Sequence, residues 1–119
     1  MASARDVRTR AALERVRRID TVEDAVVFAA EVHRDEVDKA NQPYILHPLR
    51  VALRLRSDRE RIAALLHDTV EDSDVTLDDL RARGLAPSVL SAIEALTKRD
   101  GEDYPAFIER VARDPIAHG

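Results

Sequence analysis

Cysteine is absent from the 119 residues, so neither a disulfide framework nor a thiolate zinc site is available, and any metal must be held by nitrogen and oxygen donors. That composition fits a reducing cytoplasm. Tryptophan is missing as well, and two tyrosines with two phenylalanines hold aromatics at 3%, too few for a base-stacking nucleic-acid platform. There is no excess of positive charge: 19 Lys+Arg against 23 Asp+Glu give a formal net charge of −4, which argues against a general DNA or RNA binder. Long apolar runs are lacking too. The first thirty residues have no signal-peptide character, and no stretch approaches the roughly 20 apolar residues of a membrane span. The expectation is a cytoplasmic protein with no nucleic-acid and no membrane partner.

What is present is 45% apolar and 35% charged residue, the apolar part mainly Leu, Val, Ile and Ala. The length suits one domain with a single core. No segment alternates in the manner of a strand, and neither repeats nor low-complexity runs occur. These features predict an all-α fold, a compact bundle of about six or seven short helices.

Residues 1–20 form a locally basic helix or arm, with Arg5, Arg8, Arg10, Arg15, Arg17 and Arg18 against Asp6, Glu14 and Asp20. The main domain is expected over 21–119. Thr21 is placed as the N-cap of a helix carrying Val22, Ala25, Val26, Ala29 and Val32 at helical spacing, and His33 falls on its core side as a structural histidine. Residues 38–43 read as a loop, after which Pro48 fits the first position of a helix with His47 at its cap. Asp58 is expected to cap the central helix, and Thr76 to Asp79 reads as a capping box for a short helix ending at Gly84. Pro87 opens a helix with Val89, Ala92, Ile93 and Leu96 on one face. A polar loop over 97–103 and a last helix through Tyr104, Phe107, Ile108 and Val111, ended by Asp114-Pro115, complete the reading.

The chemistry is expected at the end of the central helix. An apolar run from Ile62 to Leu66 stops at His67-Asp68 and continues to Glu71-Asp72. On a helix Glu71 lies four after His67 and Asp72 four after Asp68, which predicts one shared ionisable patch. Such a carboxylate cluster beside an apolar face is costly unless a divalent cation relieves it. A bound cation would also let an acidic protein accept a small anionic substrate.

Three elements in order, Tyr44-Ile45-Leu46-His47-Pro48, Ala63 to Asp72, and Leu96-Thr97-Lys98, resemble the HD-domain hydrolases of the RelA/SpoT type, including the stand-alone small alarmone hydrolases. The likeness runs from about Thr21 to Lys98 and weakly to Pro115. The resemblance implies a manganese ion, or another divalent cation, on His47, His67 and Asp68. It implies that Glu71 and Asp72 position or deprotonate the attacking water, and that Lys39 and Tyr44 lie against the substrate. The implied activity is a metal-dependent guanosine-3′,5′-bis(diphosphate) 3′-pyrophosphohydrolase acting on a small nucleotide, and a homo-oligomer is compatible with it.

Two departures from the family pattern carry consequences. Where the family has an Arg-Lys pair, this chain reads Asp38-Lys39, and Asn41 stands at a usual glycine, which a left-handed turn tolerates. An acid near a polyphosphate favours an alternative nucleotide substrate within the HD superfamily. The family's fourth ligand, from a Leu-Ala-Asp segment expected just past Pro115, has no counterpart before Gly119. The expectation is then that the chain is a fragment, or that His118, Asp114, water or a second subunit completes the coordination, or that the metal is weakly bound and the domain binds nucleotide or a protein partner without turnover.

Overall fold

Three of the helices begin at a reciprocal cap, in which a Ser or Thr side chain accepts a backbone N–H and an Asp three residues on accepts in return. Ser3 with Asp6 opens α1 (Ala4–Arg15), Thr21 with Asp24 opens α2 (Val22–Val32), and Thr76 with Asp79 opens α5 (Leu77–Ala82). These are seen in a computed structural model that describes residues 3–97. The other helices are α3 (Leu46–Leu53), α4 (Asp58–Asp72) and α6 (Pro87–Thr97). No strand occurs among the described residues, only an isolated antiparallel bridge between Val37 and Pro43. The all-α expectation holds. The loop expected after Thr97, the helix from Tyr104, Asp114 and His118 lie outside the described residues.

Two helix starts differ from the sequence reading. The cap of α4 is Ser57, whose hydroxyl accepts from the Glu60 N–H, while Asp58 is the first helical residue. Its carboxylate then faces the positive end of the helix dipole. The helix α3 begins two residues before Pro48, because Leu46 and His47 donate to the carbonyls of Pro43 and Tyr44 in a tight i→i−3 entry. Pro48 thus falls third, still among the N–H positions with no partner inside the helix, and His47 sits inside the first turn rather than at the cap.

The helix α4 is the axis of the fold. It packs against α2, α3 and α6, and every residue from Ile62 to Thr69 is buried. Phe28, Leu65, Leu66, Leu80 and Ile93 are the largest wholly enclosed side chains around it. The basic N-terminal segment is a docked helix: Ala12 is enclosed against α2, and the Arg83 guanidinium donates to the carbonyls of Leu13, Val16 and Asp79. Gly84, at φ +91°, turns the chain from α5 towards α6.

At the α1–α2 seam, Glu31 is buried and accepts from Arg34 at 2.7 Å and Arg15 at 3.1 Å. The Arg34 hydrogen bond is the main cause that holds its carboxyl below the ordinary 4.5, with burial opposing and Arg15 adding. A lowered folded-state value means that the stabilisation is complete above the ordinary value and is lost as pH falls through the lowered one. Glu31→Gln is therefore expected to lower the melting temperature at pH 7, and the gap to the parent should close as pH falls below 4.5 in thermal melts. Phe28→Ala, which empties a wholly enclosed site, should cost about 3–5 kcal/mol in urea unfolding at pH 7.

Candidate metal centre

The buried stretch of α4 does not end where its apolar residues end. His67 and Asp68 follow Leu66 and remain 9% and 6% exposed, so the helix carries ionisable groups into a desolvated position. Local bonds hold this last turn. The Thr69 hydroxyl donates to the Leu66 carbonyl, the Ser73 hydroxyl donates to that of Thr69, and the Ser73 oxygen accepts from the Val75 N–H.

His67, Asp68 and Glu71 bring one donor atom each within 4.8 Å of one another. The i,i+4 spacing puts Glu71 Oε1 3.8 Å from His67 Nε2. The Tyr44 hydroxyl, from the turn that leads into α3, donates to Asp68 Oδ2 at 3.4 Å. His47 stands beyond Tyr44, with ring centroids 5.8 Å apart, and it is half-buried. His47 belongs to neither of the donor groups found among the described residues.

Asp72 turns elsewhere. About 100° of rotation separates adjacent helical residues, and here Glu71 reaches His67 while Asp72 is grouped elsewhere. Asp72 instead lies with His33 and Glu36, whose donor atoms and its own fall within 4.8 Å of one another. The single patch expected from the sequence is therefore two adjoining groups, one on each side of the acidic pair. His33 is wholly enclosed, as its place on the core side of α2 suggested, with Nδ1 3.2 Å from Glu36 Oε1. Tyr44 links the groups, since its ring lies 4.7 Å from the His33 ring while its hydroxyl reaches Asp68. Glu36 was not singled out by sequence reasoning. Its only signal is a position three residues after His33.

The loop before α3 explains what Asp38 does. Its carboxylate accepts from the N–H groups of Ala40 at 2.8 Å and Gln42 at 3.0 Å, and Asn41 adopts φ +61°, the left-handed turn that the sequence allowed. Asp38 is thus engaged with its own loop, and Lys39 beside it is exposed.

One imidazole and two carboxylates, with His67 and Asp68 buried, are hard nitrogen and oxygen donors of the kind that hold a divalent metal ion. Asp68 is the desolvated carboxylate of the group and Glu71 is exposed, so an ion here would be held from the buried side by His67 and Asp68. The residues present fit such an ion.

Residues 25–113 match the sequence profile of the HD domain family. The chain is 38% identical over 108 residues to a guanosine-3′,5′-bis(diphosphate) 3′-pyrophosphohydrolase of Aquifex aeolicus, covering 81% of this chain and 15% of that protein. It is 45% identical over 67 residues to a protein of the same name from Danio rerio, covering 50% of this chain and 37% of the relative. A GTP pyrophosphokinase of Streptomyces coelicolor is 39% identical over 107 residues, covering 79% of this chain and 12% of that protein. The chain thus spans well under half the length of these relatives. It belongs to the HD domain family.

Proposed function

We propose that this chain is a manganese-dependent phosphohydrolase of the cytoplasm that releases pyrophosphate from the 3′ position of a guanosine 3′-diphosphate nucleotide. The observation that carries the reading is the convergence of His67, Asp68 and Glu71 at the buried end of α4, in a chain 38% identical to a protein named for that hydrolysis.

His67 and Asp68 are the residues that would hold the ion, with His47 as the third ligand that the family resemblance implies. When bound, the ion polarises a phosphate oxygen and lowers the pKa of a water. Tyr44 orients Asp68 by donating to Oδ2, and the family resemblance implies that it lies against the substrate. Glu71, beside His67, and Asp72, the other half of the acidic pair, are the carboxylates that would orient the attacking water and take its proton. Lys39, exposed on the loop before α3, supplies a cation for substrate phosphates.

Asp38 favours a second reading of the same chemistry. Its carboxylate closes its own loop, so the position that resembles the family's arginine offers the nucleotide no cation, and a substrate with fewer phosphates fits that loop.

A substrate panel with manganese tests both readings. Pyrophosphate release confined to 3′-pyrophosphorylated guanosine nucleotides supports the first, and turnover of simple nucleotides supports the second. Binding of manganese and nucleotide by calorimetry without turnover would make the chain a binding domain instead. Asp68→Ala should lower kcat by roughly a hundredfold or more, since loss of a metal ligand removes several kcal/mol of transition-state stabilisation. Full activity in Asp68→Ala would overturn the metal-site assignment.

A further inference from the structure

The end of α4 has an electrostatic problem that α4 does not solve. Asp68, Glu71 and Asp72 crowd its last five residues, at the negative end of the helix dipole, and its last turn carries no basic residue. The counter-charge comes from a different helix, one that precedes the stretch matching the HD domain profile, which starts at residue 25. On α1, Arg5 donates through Nη2 to the Ser73 carbonyl at 2.7 Å and to the Glu71 carbonyl at 3.4 Å, while its Nε lies 3.4 Å from Asp74 Oδ1. One turn further along, the Thr9 hydroxyl accepts from the Asp74 N–H at 3.1 Å. From the same face, Arg8 Nη2 stands 3.9 Å from Glu36 Oε1, the carboxylate grouped with His33 and Asp72.

We infer that α1 positions the Glu71–Asp72 pair, with Arg5 as its principal positioning residue, acting through the terminal carbonyls of α4. The Glu71 backbone is held directly by Arg5 and the segment after Asp72 by Arg5 and Thr9 together, so the direction in which the two carboxylates leave the helix depends on α1 being docked. Arg8 reaches the other side of Asp72 through Glu36. A cation already faces that second carboxylate group, so α1 rather than an ion balances it. The turnover expected of this device rests on the hydrolase reading above; the geometry it describes does not.

Arg5→Ala and Arg5→Lys in the full chain test it, with amide hydrogen exchange over residues 69–75 as the measurement independent of chemistry. Arg5→Ala should speed exchange there by tenfold or more while leaving α6 unchanged. Where the parent turns over substrate, the same variant should lose about tenfold in kcat with KM and manganese affinity within twofold, and Arg5→Lys should recover part of that loss. Unchanged exchange in Arg5→Ala overturns the inference whatever the activity, and so does unchanged kcat in an active protein. If the parent proves inactive on every nucleotide, the hydrolase reading fails and exchange alone decides the positioning role. If Arg5→Ala does not fold, Arg5→Lys is read in its place: it keeps the charge and loses the forked contact, so unchanged exchange and unchanged kcat would then overturn the inference.

Discussion

The structure depends on ionisable groups held at the desolvated end of a helix that is otherwise buried in apolar contacts. Placing His67 and Asp68 at under a tenth exposed costs several kcal/mol for any group that stays charged. Such a site persists only when each group finds a partner of complementary character. Asp68 has the Tyr44 hydroxyl, His67 has Glu71 one turn on, and the carbonyls that end the helix have Arg5. Remaining acidic charge in the first group is what a divalent ion would balance, so the same desolvation that makes the site costly makes it selective for a cation.

That constraint accounts for much of the architecture. A helix enclosed by α2, α3 and α6 can present polar atoms only at its ends, and the N-terminal end of α4 is taken up by its Ser57 cap. Chemistry is therefore confined to the last turn and to whatever segments reach it. Three do: the end of α2 through His33 and Glu36, the entry to α3 through Tyr44, and the first turns of α1 through Arg5 and Thr9. The loop over 38–43 sets the approach of the second of these. Asp38 and the left-handed Asn41 fold it back so that Tyr44 N–H bonds the Glu36 carbonyl, which fixes Tyr44 between the two carboxylate groups.

Features governed by nearest neighbours were legible in the sequence, and features governed by packing were not. The N-cap at Thr21, the capping box at Thr76, the start of α6 at Pro87, the left-handed Asn41 and the enclosed His33 follow from residue type within a turn or two. The dipeptide His67-Asp68 and the spacing to Glu71 gave the donor group because i,i+4 contact is a property of any helix. At Ser57-Asp58 two good capping residues stand side by side, and sequence alone does not say which hydroxyl or carboxylate reaches the Glu60 N–H. The start of α3 was set by the turn at Pro43 rather than by Pro48. Arg5 was read only as part of a basic segment, because its contacts lie 66 to 68 residues away along the chain.

The split of the acidic pair follows from the same distinction. Two adjacent carboxylates at the end of a helix suggest a shared role, yet about 100° of rotation sends Glu71 towards His67 and Asp72 towards His33 and Glu36. In the proposed hydrolase the pair is divided between the side that would hold a cation, where Glu71 lies, and the side of His33 and Glu36, where Asp72 lies. That division survives only if the helix end does not rotate. The Ser73 hydroxyl ties the end of α4 to the Thr69 carbonyl, and contacts from α1 add to that restraint. Arg5 Nη2 donates to two carbonyls, those of Glu71 and Ser73, and so resists twisting of this helix end in a way that a single contact would not; on the positioning inference, the docking of α1 then bears on the chemistry as well as on the fold.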